Sequence, residues 1–181
     1  MIKNSRKASG LWILLFLLVQ SVYSFAYEPT LDQKNKEAVT KAVYKDIVRS
    51  IGDGRQAPVL IFAFNKTALE NYTTYYSPKR QTIIIGEGIY NITVSFGADS
   101  LDALAFVLGH ELSHYYKDHG WGMSFGAAPE NFKIAQEIYD SELTIDRKKI
   151  MEAEADYFGC LYGYLAGYNT LNVGGKFISA F

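Results

Sequence analysis

All three histidines of this 181-residue chain, His110, His114 and His119, fall inside the stretch VLGHELSHYYKDHG at positions 107–120. The first two constrain the local fold more tightly than any other feature. They stand four positions apart, a spacing that on a helix brings two side chains onto one face, one turn apart. The flanking residues agree with a helix there. Leu101, Leu104, Leu108 and Leu112 recur at helical spacing, and Asp99 or Ser100 can cap the start. The glycine-rich run DHGWGMSFGAAPEN ends it.

His110-Glu111-Leu112-Ser113-His114 is then an H-E-x-x-H motif on a helix. Two imidazoles one turn apart can ligate a single zinc ion, and Glu111 is aimed at the water a catalytic zinc carries, as a general base. The bland competitor is an exposed helix with two solvated histidines. A catalytic zinc takes three protein ligands and keeps one position open, so a third ligand is needed. His119 and Glu152 compete for it. A histidine in that role would fit H-E-x-x-H-x-x-G-x-x-H, but Lys117 occupies the glycine position and His119 falls one residue early. His119 therefore reads as a loop or rim histidine.

The stretch KIMEAEADYFGCLYGYLAG supplies the acids. Glu152 and Asp156 are four apart on a predicted helix and share a face. Glu152 can bind zinc, and Asp156 can accept the free N–H of a ligating histidine. Glu154 lies about 160° round the helix from either and reads as a solvated charge. Ala155, Gly159, Gly163 and Gly167 form a small-residue stripe on the same helix. Interior glycine costs about 1 kcal/mol relative to alanine, so the stripe suggests close approach by another helix.

The rest of the chain predicts an α+β fold. TLDQKNKEAVTKAVYKDIVRSIGDG reads as an amphipathic helix with a Thr30–Gln33 capping box and an apolar face of Ala38, Val39, Ala42, Val43, Ile47 and Ile51. Pro58–Asn65 and YTTYYS read as strands. QTIIIGEGIYNI reads as a third, broken at Gly86 and Gly88, completing a small mixed or antiparallel sheet. A second helical region is expected from about 131 to 166, interrupted near Thr144. With no repeat or linker, residues 27–181 are expected to form a single domain, and the chain's end at GGKFISAF leaves open whether that domain is truncated.

Residues 1–26 carry Lys3, Arg6 and Lys7, then the apolar run Leu11–Val19, then small residues at Ser24 and Ala26. This is the layout of a signal peptide, cut after Ser24 or Ala26. The run is short of the roughly 20 apolar residues a membrane span needs, so no stable transmembrane anchor is expected after cleavage. Export to the periplasm or medium follows as the expected location. Removing three of 18 basic residues leaves 15 against 19 acidic ones, a net charge of −4, which argues against a nucleic-acid partner. Cys160 is the only cysteine, which precludes an intrachain disulfide.

HELSH followed on a later helix by EAEAD resembles the gluzincin metallopeptidases of the HtpX and CAAX prenyl protease type, over about residues 99–166. The resemblance implies a zincin-like fold and a zinc metalloendopeptidase. One zinc per chain would be held by His110, His114 and Glu152, with Glu111 as base and Asp156 in support. It also implies a peptide or protein substrate, added as a strand to a sheet edge for which Thr82, Ile83, Ile84, Ile85 and Gly86 are the candidates. Many such proteins are embedded in membranes by several helices. This chain has no such segment after the leader and resembles the soluble, exported members, acting on exported or cell-envelope proteins. The competing expectation is a zinc- or peptide-binding module of the same fold without turnover.

Overall fold

The computed structural model describes residues 30–64, 71–119, 124–125 and 145–179. The chain divides into two compact units, residues 1–32 and 33–181. The first holds the expected leader and lies almost wholly outside the described residues, as does the expected helical stretch 131–144.

Helix α1 (Leu31–Ile51) lies where the apolar period predicts it, but its buried face is turned slightly. Thr40, Val43, Tyr44 and Ile47 are buried, whereas Ala38 and Ala42 face solvent. Polar groups join that face because they find partners. Thr40 Oγ1 donates to Lys36 O at 2.8 Å, and the Tyr44 hydroxyl donates to the Pro58 carbonyl. Gly52, at φ +65°, stops the helix.

Three strands follow: β1 (Val59–Ala63), β2 (Thr74–Ser77) and β3 (Thr82–Gly86). A short β4 (Ser124–Phe125) completes a mixed sheet in the order β1-β3-β2-β4. β1 runs parallel to β3, and β2 is antiparallel to both β3 and β4. The β2–β3 hairpin turns through Pro78–Gln81, with Gln81 at φ 48°. Ile83 and Ile85, on one face of β3, have no exposed surface, as expected of a central strand whose core face is covered. That position corrects one expectation. Thr82, Ile83, Ile84, Ile85 and Gly86 cannot receive a substrate strand, because β1 and β2 occupy both edges of β3.

The expected strand does not continue past Gly86. Glu87–Val94 is a helix, α2, burying Gly88, Ile89 and Thr93. Its β-branched residues suggested a strand, but positions 88, 89 and 93 are buried, and these share one face of a helix. Gly88 has a separate reason to be glycine: a Cβ there would stand 2.7 Å from the carbonyl oxygen of Asn71.

Helix α3 (Ser100–Tyr116) is the centre of the molecule. Its first turn is solvated, with Leu101 48% exposed, but every residue from Ala103 to His114 is buried. Asp99 occupies the N-cap position without a side-chain capping bond, and its carboxylate instead accepts from Lys176 Nζ at 3.3 Å. Helix α4 (Ile145–Leu165) is the most extensive neighbour of α3, and α5 (Thr170–Ile178) closes the core over both. Phe177 of α5 packs against Phe96 and Phe106 with ring centroids 5.6 and 5.7 Å apart. Helix α5 had no counterpart in the sequence reading, since Gly174 and Gly175 are poor helix formers. Gly174 is there for space: a Cβ would lie 2.7 Å from Cys160 Sγ.

The small-residue stripe proves to serve three purposes. A Cβ on Gly109 would stand 2.6 Å from Gly159 O, and one on Gly159 2.7 Å from the His110 backbone nitrogen, so these glycines set the α3–α4 crossing. Gly163 faces Thr170 of α5. Gly167, at φ +94°, terminates α4, with Gly167 N–H donating to Tyr164 O and Tyr168 N–H to Gly163 O, both at 3.0 Å.

Candidate metal centre

The crossing of α3 and α4 decides what the site contains. Because the backbones meet at Gly109 and Gly159, the turn of α4 that precedes the crossing lies against the turn of α3 that follows it. His110 Nε2 and His114 Nε2 are 3.0 Å apart, and Glu152 reaches both, with Oε2 3.3 Å from His110 Nε2 and Oε1 3.6 Å from His114 Nε2. Two nitrogens bound tetrahedrally to one zinc would be separated by about 3.3 Å, given Zn–N bonds near 2.0–2.1 Å. His110, His114 and Glu152 offer ligand atoms that all lie within 4.8 Å of one another. The chemistry of the set also fits. Nitrogen, nitrogen and carboxylate oxygen with one position left over is a catalytic rather than a structural zinc set. Glu152 Oε1 is buried without a hydrogen-bond partner, as a ligand oxygen awaiting a cation would be.

Each histidine has a partner on its other ring nitrogen. His110 Nδ1 is 2.8 Å from Asp156 Oδ1. A carboxylate can only accept, so Nδ1 carries a proton, and Nε2 is the nitrogen that faces Glu152 and His114 and is left for a metal. Burial alone would lower the His110 pKa, but hydrogen bonds to Asp156 and Glu152 and the charges of Glu111 and Glu152 outweigh it and raise it to about 9. His114 goes the other way. Burial, then the charges of His110 and His119, hold it well below the ordinary histidine value and keep it neutral, as a ligand must be.

Glu111 has no exposed surface, and neither carboxylate oxygen has a hydrogen-bond partner among the described residues. Burial pushes its pKa up to about 8. The charge of His110 opposes that rise, Glu152 adds to it, and the Tyr76 backbone on β2, near the carboxyl but not hydrogen-bonded to it, lowers it. A buried carboxyl with a raised pKa and free lone pairs is equipped to accept a proton rather than to brace the fold.

His119 follows the end of α3 and stays outside the ligand group, as the sequence reading had it, but its contact with Glu154 was not foreseen. His119 is 7% exposed, not on a rim, and its Nδ1 lies 3.0 Å from His114 Nδ1. Its Nε2 lies 3.3 Å from Oε2 of Glu154, whose carboxylate, half-exposed, is thus a histidine partner as well as a solvated charge. The backbone explains why. Asp118 adopts the left-handed conformation, φ 54°, and closes α3 with Asp118 N–H donating to Tyr115 O and His119 N–H to His114 O. That termination usually employs glycine, and its absence concealed the turn. Aspartate tolerates the conformation better than most residues. Arg55 holds it, donating to the Tyr116 carbonyl at 2.8 Å and to Asp118 Oδ1 at 3.2 Å.

Two histidines from one helix, a glutamate from the next and an unpartnered buried glutamate beside them define the zinc-dependent class of peptidases. The model of peptidase family M48 matches residues 34–137, and the chain belongs to that family of zinc metallopeptidases. Searches among curated proteins and among solved structures give no match. The matched span runs from α1 through α3 and stops before α4, so the places of Glu152 and Asp156 rest on geometry.

Proposed function

We propose that this chain is a metalloendopeptidase of the HtpX and CAAX prenyl protease type, a soluble exported member that cleaves exported or cell-envelope proteins. In this reading His110, His114 and Glu152 hold one zinc per chain, Asp156 orients His110, and Glu111 is the general base. The observation that carries it is the convergence of His110 Nε2, His114 Nε2 and the Glu152 carboxylate next to a fully buried Glu111 with no partner of its own.

Bound zinc supplies Lewis acidity toward a water and toward the scissile carbonyl. The chain's own residues do the rest. Glu111 accepts a proton from the attacking water and returns it to the departing amine nitrogen, and the raised pKa suits it to both transfers near neutrality. His110 stays oriented because its Nδ1–H is committed to Asp156. The substrate edge moves from β3 to the β4 side of the sheet. Tyr76, whose backbone lies near Glu111, is on β2, which β4 flanks on the side away from β3. In this reading an extended peptide adds at the β4 end of the sheet order.

Export draws its support from the leader: the cations at Lys3, Arg6 and Lys7, the run Leu11–Val19 and the small residues before Tyr27, with residues 27–181 as the mature domain. No helix among the described residues is long and apolar enough to cross a membrane.

The test is chelator-sensitive cleavage of unfolded casein by the parent, by Glu111→Gln and by Glu152→Gln, each with its zinc content measured. Glu111→Gln should keep zinc and lose roughly 10²–10⁴-fold in rate. Glu152→Gln should lose zinc itself. Full activity in a clean Glu111→Gln protein would sink the mechanism, and a parent that retains peptides uncut would make the chain a binding module.

A further inference from the structure

We propose that His119 and Glu154 form a positioning relay for His114. In this relay His114 Nδ1–H donates to His119 Nδ1, and His119 Nε2–H donates to the Glu154 carboxylate. The inference rests on the reading of His110, His114 and Glu152 as ligands, and it assigns a task to two residues outside that set.

The direction of the chain follows from its far end. A carboxylate accepts, so the 3.3 Å contact between Glu154 Oε2 and His119 Nε2 puts a proton on Nε2. A neutral imidazole then has an acceptor at Nδ1, and the atom 3.0 Å away is His114 Nδ1, which must donate. With its proton on Nδ1, His114 can only present a lone pair at Nε2, the nitrogen that faces His110 Nε2 at 3.0 Å. The opposite tautomer would point an N–H at the metal position. His119 is no substitute ligand, since it touches His114 on the edge opposite the one that meets His110.

The site is thereby supported twice by different means. His110 leans directly on a carboxylate, and His114 leans on one through an intervening imidazole. The left-handed turn at Asp118, clamped by Arg55, holds the intervening ring, and the ring planes of His114 and His119 meet at 69° with centroids 5.1 Å apart.

The experiment measures the zinc dissociation constant of the full chain by competition with a chromophoric chelator. The proteins are the parent, His119→Ala, His119→Asn, Glu154→Ala and the His119→Ala/Glu154→Ala double variant, with Glu152→Gln as reference. Thermal melting of each without zinc reports packing separately. His119→Ala should weaken zinc binding 10–100-fold. His119→Asn should recover most of that, because its side-chain oxygen can accept where Nδ1 did. Glu154→Ala should give a smaller loss, and the double variant should be no weaker than His119→Ala alone, because the acid acts only through the ring.

Parent-like zinc affinity in His119→Ala overturns the relay. So does His119→Asn binding as weakly as His119→Ala, or losses that simply multiply in the double variant. If His119→Ala does not fold, Glu154→Ala decides: a loss of affinity at unchanged melting temperature supports the relay, and an unchanged affinity refutes it. Failure of the underlying ligand set looks different. There the parent binds no zinc, or Glu152→Gln binds it as the parent does.

Discussion

The two helices that build the site reach it by opposite routes. Helix α3 is buried on all sides from Ala103 to His114, so His110 and His114 are located by the core itself. Helix α4 is a surface helix. Met151, Ala155 and Tyr162 are buried, whereas Ile150, Tyr157, Tyr164 and Leu165 are all more than half exposed. Its acids are placed by its crossing with α3, which is closest where Gly159 meets Gly109 and the backbone of His110. Histidine geometry is thus insured by many packed neighbours and acid geometry by a crossing that two missing side chains allow. A ligand set split this way should fail in two distinguishable manners.

The largest expected effect tests the α3 side. Phe106 has no exposed surface and packs between Phe177 and His110. Phe106→Ala should cost about 3–5 kcal/mol, read as a shift in the urea midpoint with little change in slope. A smaller cost would mean that α5 can collapse onto the space, and that α3 is less firmly held than its burial implies. Next comes the crossing. A side chain at Gly159 would press on backbone rather than on a movable side chain, so Gly159→Val should destabilise by about 1–3 kcal/mol or more. It should also lower zinc affinity by more than Phe106→Ala does, because it pushes Glu152 away from the histidines. Equal zinc affinity in the two variants would erase the proposed difference between the helices.

The same contrast sets how much of the molecule the sequence disclosed. The histidine helix was legible because ligand spacing, leucine spacing and the glycine-rich stop all gave one answer. The pairing of Glu152 with Asp156 was legible for the same reason: a period of four has one meaning on a helix. Gly109 was not, since a lone glycine inside a helix announces no partner, and the stripe on α4 gave only half of the contact. Helix α2 was misread because Ile89, Tyr90, Ile92 and Val94 favour strands locally, and tertiary packing chose otherwise. The order of the strands was not readable at all. Nothing in TIIIG says that it lies between two neighbours rather than at an edge, and the substrate-edge assignment failed on that point. The contact of His119 with Glu154 was missed for the subtlest reason, a glycine-type turn made by aspartate.

Two smaller effects sharpen the comparison from the α4 side. Asp156→Asn keeps the shape of the side chain but removes the charge that His110 Nδ1–H is committed to. Zinc affinity should fall 10–100-fold, about 1.4–2.8 kcal/mol, with the metal-free melting temperature nearly unchanged because the group is only partly buried. A melting temperature that drops in parallel would show that Asp156 braces the helix pair rather than the ligand. Tyr164→Ala should do least. Its ring is 54% exposed on the outer face of α4, and truncating it should move stability by no more than about 0.5 kcal/mol and leave zinc binding alone. A loss of several-fold in zinc affinity from so distant a position would mean that α4 is held by its outer face as well, and that the glycine crossing is not what sets the acids in place.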